Sequence, residues 1–378
     1  MNPYDFARID WARPPERRPP VWHHRLIGQQ TQRLYSGQLE VDVYAETPLF
    51  IADPRSVSPD PQKPAQSMQN QHGEYIIPGS SLKGMLRCLV ETLGNGCLTL
   101  FDGRYERSSV DYTRAAPEGF QHCDNNTKLC IACRIFGMLM EGTRGVFLGK
   151  VNIGDAIVDP GRVYLFNPIY TGVTDTPKPH HAAFYLDQAR NHIAGRKYYF
   201  HHDPAKSPKT ENRLLPIPNR PGVYRNKYIQ PLDYDTRFHF RIDFTALEAD
   251  EFGALLLAVA LEEDMRHKIG YGKPLGLGSI SLQPISLTLV DYATRYTQPG
   301  SERGKTVIQG DPMWQDVLYE QIDDFSQHHL VTIAMDDLRR IWRWPPDPDV
   351  DYYYPSKRDW FDTEDSIGKR IADTRNVP

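Results

Sequence analysis

Cys123, Cys130 and Cys133 lie close together in the chain, and the last two form a CxxC pair. Thiolates at that spacing suit tetrahedral zinc, because the pair can close on one ion while a third sulfur arrives from the preceding loop. A fourth ligand is required. His122 is the nearest candidate and Cys97 the other, and proximity along the chain favours His122. A CxxC pair can also be redox-active, but this one sits in the Lys128 to Gly137 loop rather than in a thioredoxin-like βαβ setting. Structural zinc is therefore the better reading, and the crowding of thiols argues against a disulfide framework.

Phosphate chemistry is suggested at three places. In Ile77-Pro78-Gly79-Ser80-Ser81-Leu82-Lys83-Gly84 a short strand meets a turn, with Gly79-Ser80-Ser81 supplying the turn and N-cap of a helix periodic in Leu82, Leu86, Leu89 and Leu93. Lys83 and Arg87 fall four residues apart on one face, beside free N–H groups that favour an anion. The segment lacks the GxxxxGK[ST] spacing of a Walker A loop, so nucleotide hydrolysis is not expected. The second place is Gly270 to Gly278, where Gly270, Gly272, Gly276 and Gly278 permit positive φ and close backbone approach beside Lys273 and Pro274, without opening a helix as a dinucleotide fingerprint does. The third is Arg196 and Lys197, which precede the aromatic run Tyr198-Tyr199-Phe200 and the pair His201-His202. Such a run either stacks bases or forms a core strand with surface cations. The histidines suit acid–base work, yet spacing ties no serine or cysteine nucleophile to them.

The elements that must position these residues are strands and helices in alternation. Gln38 to Ala52 reads as a strand, Asp53 to Gly73 as a long polar loop, Val146 to Val158 and Arg237 to Phe244 as strands, Ala246 to Glu263 as a second helix and Ser279 to Val290 as a last strand. That order is the order of a ferredoxin-like (RRM-like) α+β domain. With 378 residues and 31 prolines, large insertions and stiff connections are expected around it. We divide the chain into a proline-rich arm (1–37), a core domain (38–292) and an acidic extension (293–378), the core carrying a loop at 53–74, a cysteine insertion at 97–137 and a basic aromatic insertion at 160–236. The net charge of −4 argues against bulk coating of nucleic acid, but Arg190 to Arg241 holds 11 Lys and Arg against 4 Asp and Glu, whereas Ser301 to Pro378 holds 10 against 16. No run of apolar residues is long enough for a signal peptide or a membrane span, so a cytoplasmic protein is expected.

IPGSSLKGMLR after a strand, CIACRIFG downstream and GYGKPLGLGSI before the final strand together resemble the RAMP superfamily, the backbone subunits of type III CRISPR effector complexes. The resemblance spans about Gln38 to Leu289. It implies guide (CRISPR) RNA, complementary target RNA and other type III subunits as partners. It places Ser80, Ser81, Lys83 and Arg87 against the guide backbone as phosphate positioners, with Gly270, Gly272, Lys273 and Gly276 beside the same RNA. Arg196 and Lys197 join them from the basic insertion. The 53–74 loop corresponds to a thumb-like projection that in slicing subunits carries the aspartate for metal-dependent cleavage, a reaction that would take Mg. Here that position falls near Gln62 or Lys63, and the nearest acids are Asp60 and Asp53. A guide-processing ribonuclease using His201 or His202 is the remaining enzymatic reading.

Overall fold

The computed structural model describes residues 1–21, 34–53, 63–98, 116–139, 146–174, 182–187, 189, 192–311, 313–354 and 369. Its centre is an antiparallel sheet built on β2 (Tyr35–Ala45), flanked on one side by β6 (Arg237–Leu247) and on the other by β7 (Ser279–Val290). β6 in turn pairs with β3 (Val151–Ile153) and β4 (Ala156–Val158). Alternation decides which face is buried. Leu39, Val41 and Val43 of β2, with Phe238, Phe240, Ile242 and Phe244 of β6, turn inward, while Glu40, His239 and Arg241 stay on the outer face. The register of β7 against β2 shifts between Pro284 and Ser286, where a proline without an N–H is tolerated at a bulge.

Two helices cover the inner face. α1 (Gly79–Leu93) buries Leu82, Leu86, Leu89, Val90 and Leu93, and packs against α3 (Ala249–Ala260). α3 is shorter than the periodicity suggests at both ends. Glu248 and Glu251 form a capping box that fixes its start, and Leu261 leaves helical geometry with φ 55°. The short helix α2 (Ile131–Phe136) docks on the start of α3 through Arg134, which is almost fully buried. Its guanidinium meets Asp250 at 2.8 Å, Glu248 at 3.2 Å and Glu251 at 3.4 Å. Lys150 adds 2.6 Å to Glu251, and Arg18 adds 2.6 Å to Asp250. Removing one partner leaves buried charge uncompensated, so Arg134→Ala should cost about 3–5 kcal/mol in urea unfolding; a loss under about 1 kcal/mol would show the network to be dispensable.

Described segments on both sides of the central sheet in sequence join this core. β1 (Tyr4–Ala7) pairs with β5 (Arg196–Tyr199), and the residues after β1 run as a strap over the cysteine segment, with Arg18 bridging Leu129 and Arg17 donating to Gly119 O at 2.9 Å. From the C-terminal side, α4 (Met313–His328) and α5 (Thr332–Ile341) contribute Phe325, Met335, Leu338 and Ile341 to the main hydrophobic cluster. α4 crosses α3 so closely that a Cβ on Gly253 would lie 2.4 Å from Gln321 O. The basic insertion carries its own small sheet, in which Ala65–Gln66 of the 53–74 loop pairs with Tyr228–Gln230. No helix among the described residues is long and apolar enough to cross a membrane.

Candidate nucleic-acid interface and metal centre

α1 begins two residues earlier than a cap at Ser80 would place it. Pro78 is the cap residue, and the first free N–H, that of Gly79, donates to Asp155 Oδ1 at 2.8 Å. The reason is steric: a Cβ on Gly79 would lie 2.2 Å from Ile153 O, so only glycine lets the helix start against β3. Ser80 and Ser81 are thereby moved from capping to the exposed first turn, together with Gly84, where an added Cβ would meet nothing within 4 Å.

One end of this helix, β5 and the glycine loop enclose a pocket of about 520 Å³. Ser81, Lys197, Gly270 and Lys273 all line it, and so do Lys268, Tyr199, Tyr271 and Trp342. Among the described residues that line this space there are three lysines and no carboxylate. Lys268 Nζ donates to Ser279 Oγ at 3.2 Å, Lys273 Nζ to Gly270 O at 2.8 Å, and Lys197 Nζ lies 3.7 Å from the Tyr4 ring centre. Burial lowers the pKa of Lys197 to about 8 and that of Lys268 to about 7, and it lowers Lys273 as well. Desolvated ammonium groups with no acid among the described lining residues are arranged to receive an anion from outside. Lys227 Nζ lies 4.7 Å from the ring centre of Tyr271, which lines the pocket.

The glycines divide by task. Gly272 and Gly276 adopt left-handed geometry on either side of a tight turn at Lys273–Leu275, and a Cβ on them would strike Leu277 and Ser207 respectively. They shape the loop, whereas Gly270 also lines the pocket. Lys83 lies away from it, half-buried, with Nζ 3.4 Å from Val151 O.

The cysteines form a second centre behind α1. The sulfurs of Cys97, Cys123, Cys130 and Cys133 all lie within 4.8 Å of one another, and all four residues are buried. Cys97, which follows the end of α1, takes the position that chain proximity gave to His122; His122 is half-buried and outside the group, whereas Cys123 is fully buried within it. A bond from Leu98 N to Phe120 O, 2.8 Å, draws the Cys97 strand beside Cys123. The residues fit zinc. Four sulfurs at about 2.3 Å from one ion stand about 3.8 Å apart, and Cys97 Sγ to Cys133 Sγ is 3.7 Å. Backbone N–H groups of Cys97 and Cys130 point at the Cys130 and Cys123 sulfurs, at 3.5 and 3.3 Å, as metal thiolates prefer. Hydrogen bonding from Cys123 pulls the Cys130 thiol well below its usual range, while the same neighbour pushes Cys97 and Cys133 up; a bound ion would take all four as thiolates. Bound there, zinc would cross-link the end of α1, the Cys123 loop and the start of α2.

Arg87 and Arg196 belong to this second centre and not to the pocket. Arg87 donates to Glu91 at 2.8 Å, to Gly137 O at 2.7 Å and to Cys133 Sγ at 3.4 Å. Arg196 meets the other oxygen of Glu91 at 3.0 Å and holds Gly96 O and Cys97 O at 2.9 and 2.8 Å. Sequence reading missed Glu91, although it sits four residues after Arg87, and missed Lys268 and Tyr271 beside the glycine loop.

His201 and His202 are both buried. His201 uses its two ring nitrogens on Ser279 Oγ and Arg266 O, at 2.8 and 2.9 Å, and burial holds its pKa well below the usual value. Burial brings His202 to about 2. Neither ring is placed to exchange protons with an RNA at the surface. Asp60 lies outside the described residues; Asp53 is half-buried and follows Ala52, a lining residue of the pocket.

A family model described as the RAMP superfamily matches residues 42–281, more than half of the chain. The match runs from β2 into the first residues of β7 and includes α1, the four clustered cysteines and the glycine loop. No curated protein matches.

Proposed function

Because the chain belongs to the RAMP superfamily, whose members bind CRISPR RNA within multisubunit complexes, we propose that it is a guide-RNA-binding backbone subunit of a type III effector complex. The strand order β7-β2-β6-β4, with α1 and α3 on one face, supports a ferredoxin-like core. The observation that carries the proposal is the pocket whose described lining holds three lysines and no carboxylate, placed where the helix after the serine turn meets the glycine loop.

In this reading Lys197, Lys268 and Lys273 hold backbone phosphates, Ser81 donates a hydroxyl, and Tyr199 and Tyr271 offer ring faces to unstacked bases. Contacts of this kind fix the path of the strand without reading its sequence, as a subunit serving many guides requires. Complementary target RNA would pair with the guide held there, and neighbouring subunits would continue the track. The exposed Ser80, Ser81 and Gly84 leave the outer side of α1 low enough for the sugar-phosphate chain to approach.

The Lys197→Glu/Lys273→Glu double variant tests this. It should bind single-stranded RNA at least tenfold more weakly in fluorescence anisotropy and lose guide RNA during purification of the complex. Retention equal to that of the wild type would overturn the assignment. Slicing of target RNA through Asp53 or Asp60 with Mg rests on the position of the 53–74 loop alone and is not part of the proposal.

A further inference from the structure

The two centres share their supports. α1 carries Ser81 at the pocket, and Arg87 and Glu91 at the cysteines. β5 carries Arg196 toward the cysteines, and Lys197 and Tyr199 at the pocket. Between them stands Glu91, gripped by Arg87 on one oxygen and Arg196 on the other. We propose that Arg87, Glu91 and Arg196 form a clamp through which metal at the four cysteines sets the lysine pocket, with Arg87 acting as a positioning residue for the Cys133 thiolate.

The physical case begins with charge. Four thiolates around a divalent ion carry a net charge of −2, and such a charge inside a protein needs donors and cations beside it. Among the described residues Arg87 is the side-chain cation with a hydrogen bond to one of these sulfurs, and its guanidinium is held in place by Glu91 and Gly137 O. A planar guanidinium can serve the sulfur, the carbonyl and the carboxylate at once; a lysine ammonium in its place would reach fewer of them. Arg196 completes the arrangement by fixing the carbonyl of Cys97 itself, so a displaced Cys97 pulls on β5. Without metal, the four crowded sulfurs lose the ion that holds them together. Arg87 then loses its thiolate, Glu91 loses one of its fixed partners, and the backbone at Arg196-Lys197 is released on the pocket side. The pocket half of the proposal rests on the RNA reading above; the Arg87 half does not.

The experiment uses the full chain with Arg87→Gln, Arg87→Lys, Glu91→Gln and Lys197→Glu. Metal is followed by cobalt(II) substitution, reading the sulfur-to-cobalt absorption band during competition with a chelator. RNA is followed separately by anisotropy of a single-stranded oligoribonucleotide. Loss of a partner that orients a metal ligand typically weakens binding 10–100-fold, so Arg87→Gln should lose cobalt at least tenfold more readily, shift the band and weaken RNA binding. Arg87→Lys should recover part of both, and Glu91→Gln should weaken both while changing no group in contact with sulfur. Lys197→Glu should lose RNA and keep the wild-type cobalt affinity and band. Cobalt affinity in Arg87→Gln within twofold of the wild type would overturn the role of Arg87. Unchanged RNA binding by metal-depleted wild-type protein would overturn the link. If wild-type protein failed to bind RNA at all, the pocket reading would fall while the cobalt result still judged Arg87.

Discussion

Cys97→Ser is expected to abolish stoichiometric zinc and to lower the thermal midpoint by roughly 10 °C, while His122→Ala leaves both unchanged. Zinc in small structural sites contributes about 10–16 kcal/mol of apparent binding energy to folding. In a chain with its own large core only part of that is lost, and a loss of roughly 3 kcal/mol or more fits the three segments that the cysteines join. A serine also leaves a polar hydroxyl among buried sulfurs with no metal to satisfy it. Metal content by elemental mass spectrometry and unfolding scans with and without chelator would settle the matter. A Cys97→Ser protein with full zinc, or a His122→Ala protein without it, would refute the four-cysteine assignment.

The lysine pocket should make stability and RNA binding respond to pH with opposite signs. Burial lowers Lys268 to about 7 and Lys197 to about 8 in the folded chain, against about 10.4 when unfolded. Between roughly pH 7 and pH 10 the unfolded chain therefore binds more protons, and the free protein gains stability as pH rises through that window. RNA binding needs the ammonium forms, so affinity should fall over the lower part of the same window, by about tenfold for each phosphate contact neutralised. Each lost contact should also reduce the dependence of log affinity on log salt by about 0.7 for a single strand. Urea midpoints and anisotropy at pH 7, 8 and 9, at constant ionic strength, measure both trends, and Lys268→Met should flatten both. Affinity that stays level across that range in the wild type would remove Lys268 and Lys197 from the interface.

What the sequence made legible follows from how local each signal is. The leucine spacing of α1 and the alternation in β2 and β6 are set by burial along a single element, and they can be read one residue after another. The start of α1 could not, because the close approach of Gly79 to Ile153 and the cap from Asp155 both come from a turn more than 70 residues away. The fourth cysteine illustrates the same limit. Cys97 and Cys123 are far apart in the chain, and nothing local weighs that separation against the adjacency of His122. Charge sign was readable for Arg87 and Arg196, but the partner that decides their work was not. A cation beside Glu91 and a thiolate looks in sequence like a cation waiting for phosphate. Lys268 escaped notice for the converse reason: its importance comes from burial without a carboxylate, which only the assembled pocket displays.

The central strand has a further consequence, one of timing. β2 is hydrogen-bonded along its length to β6 and β7, with Tyr44 opposite Arg237 and Ser281. Both partners are synthesised about two hundred residues later. Until β6 has been made, Leu39, Val41 and Val43 have neither neighbouring strand, and closing so large a loop precedes any gain from pairing. An apolar strand that waits that long in a nascent chain is exposed to the wrong partners, and the order of synthesis then bears on folding alongside the final contacts.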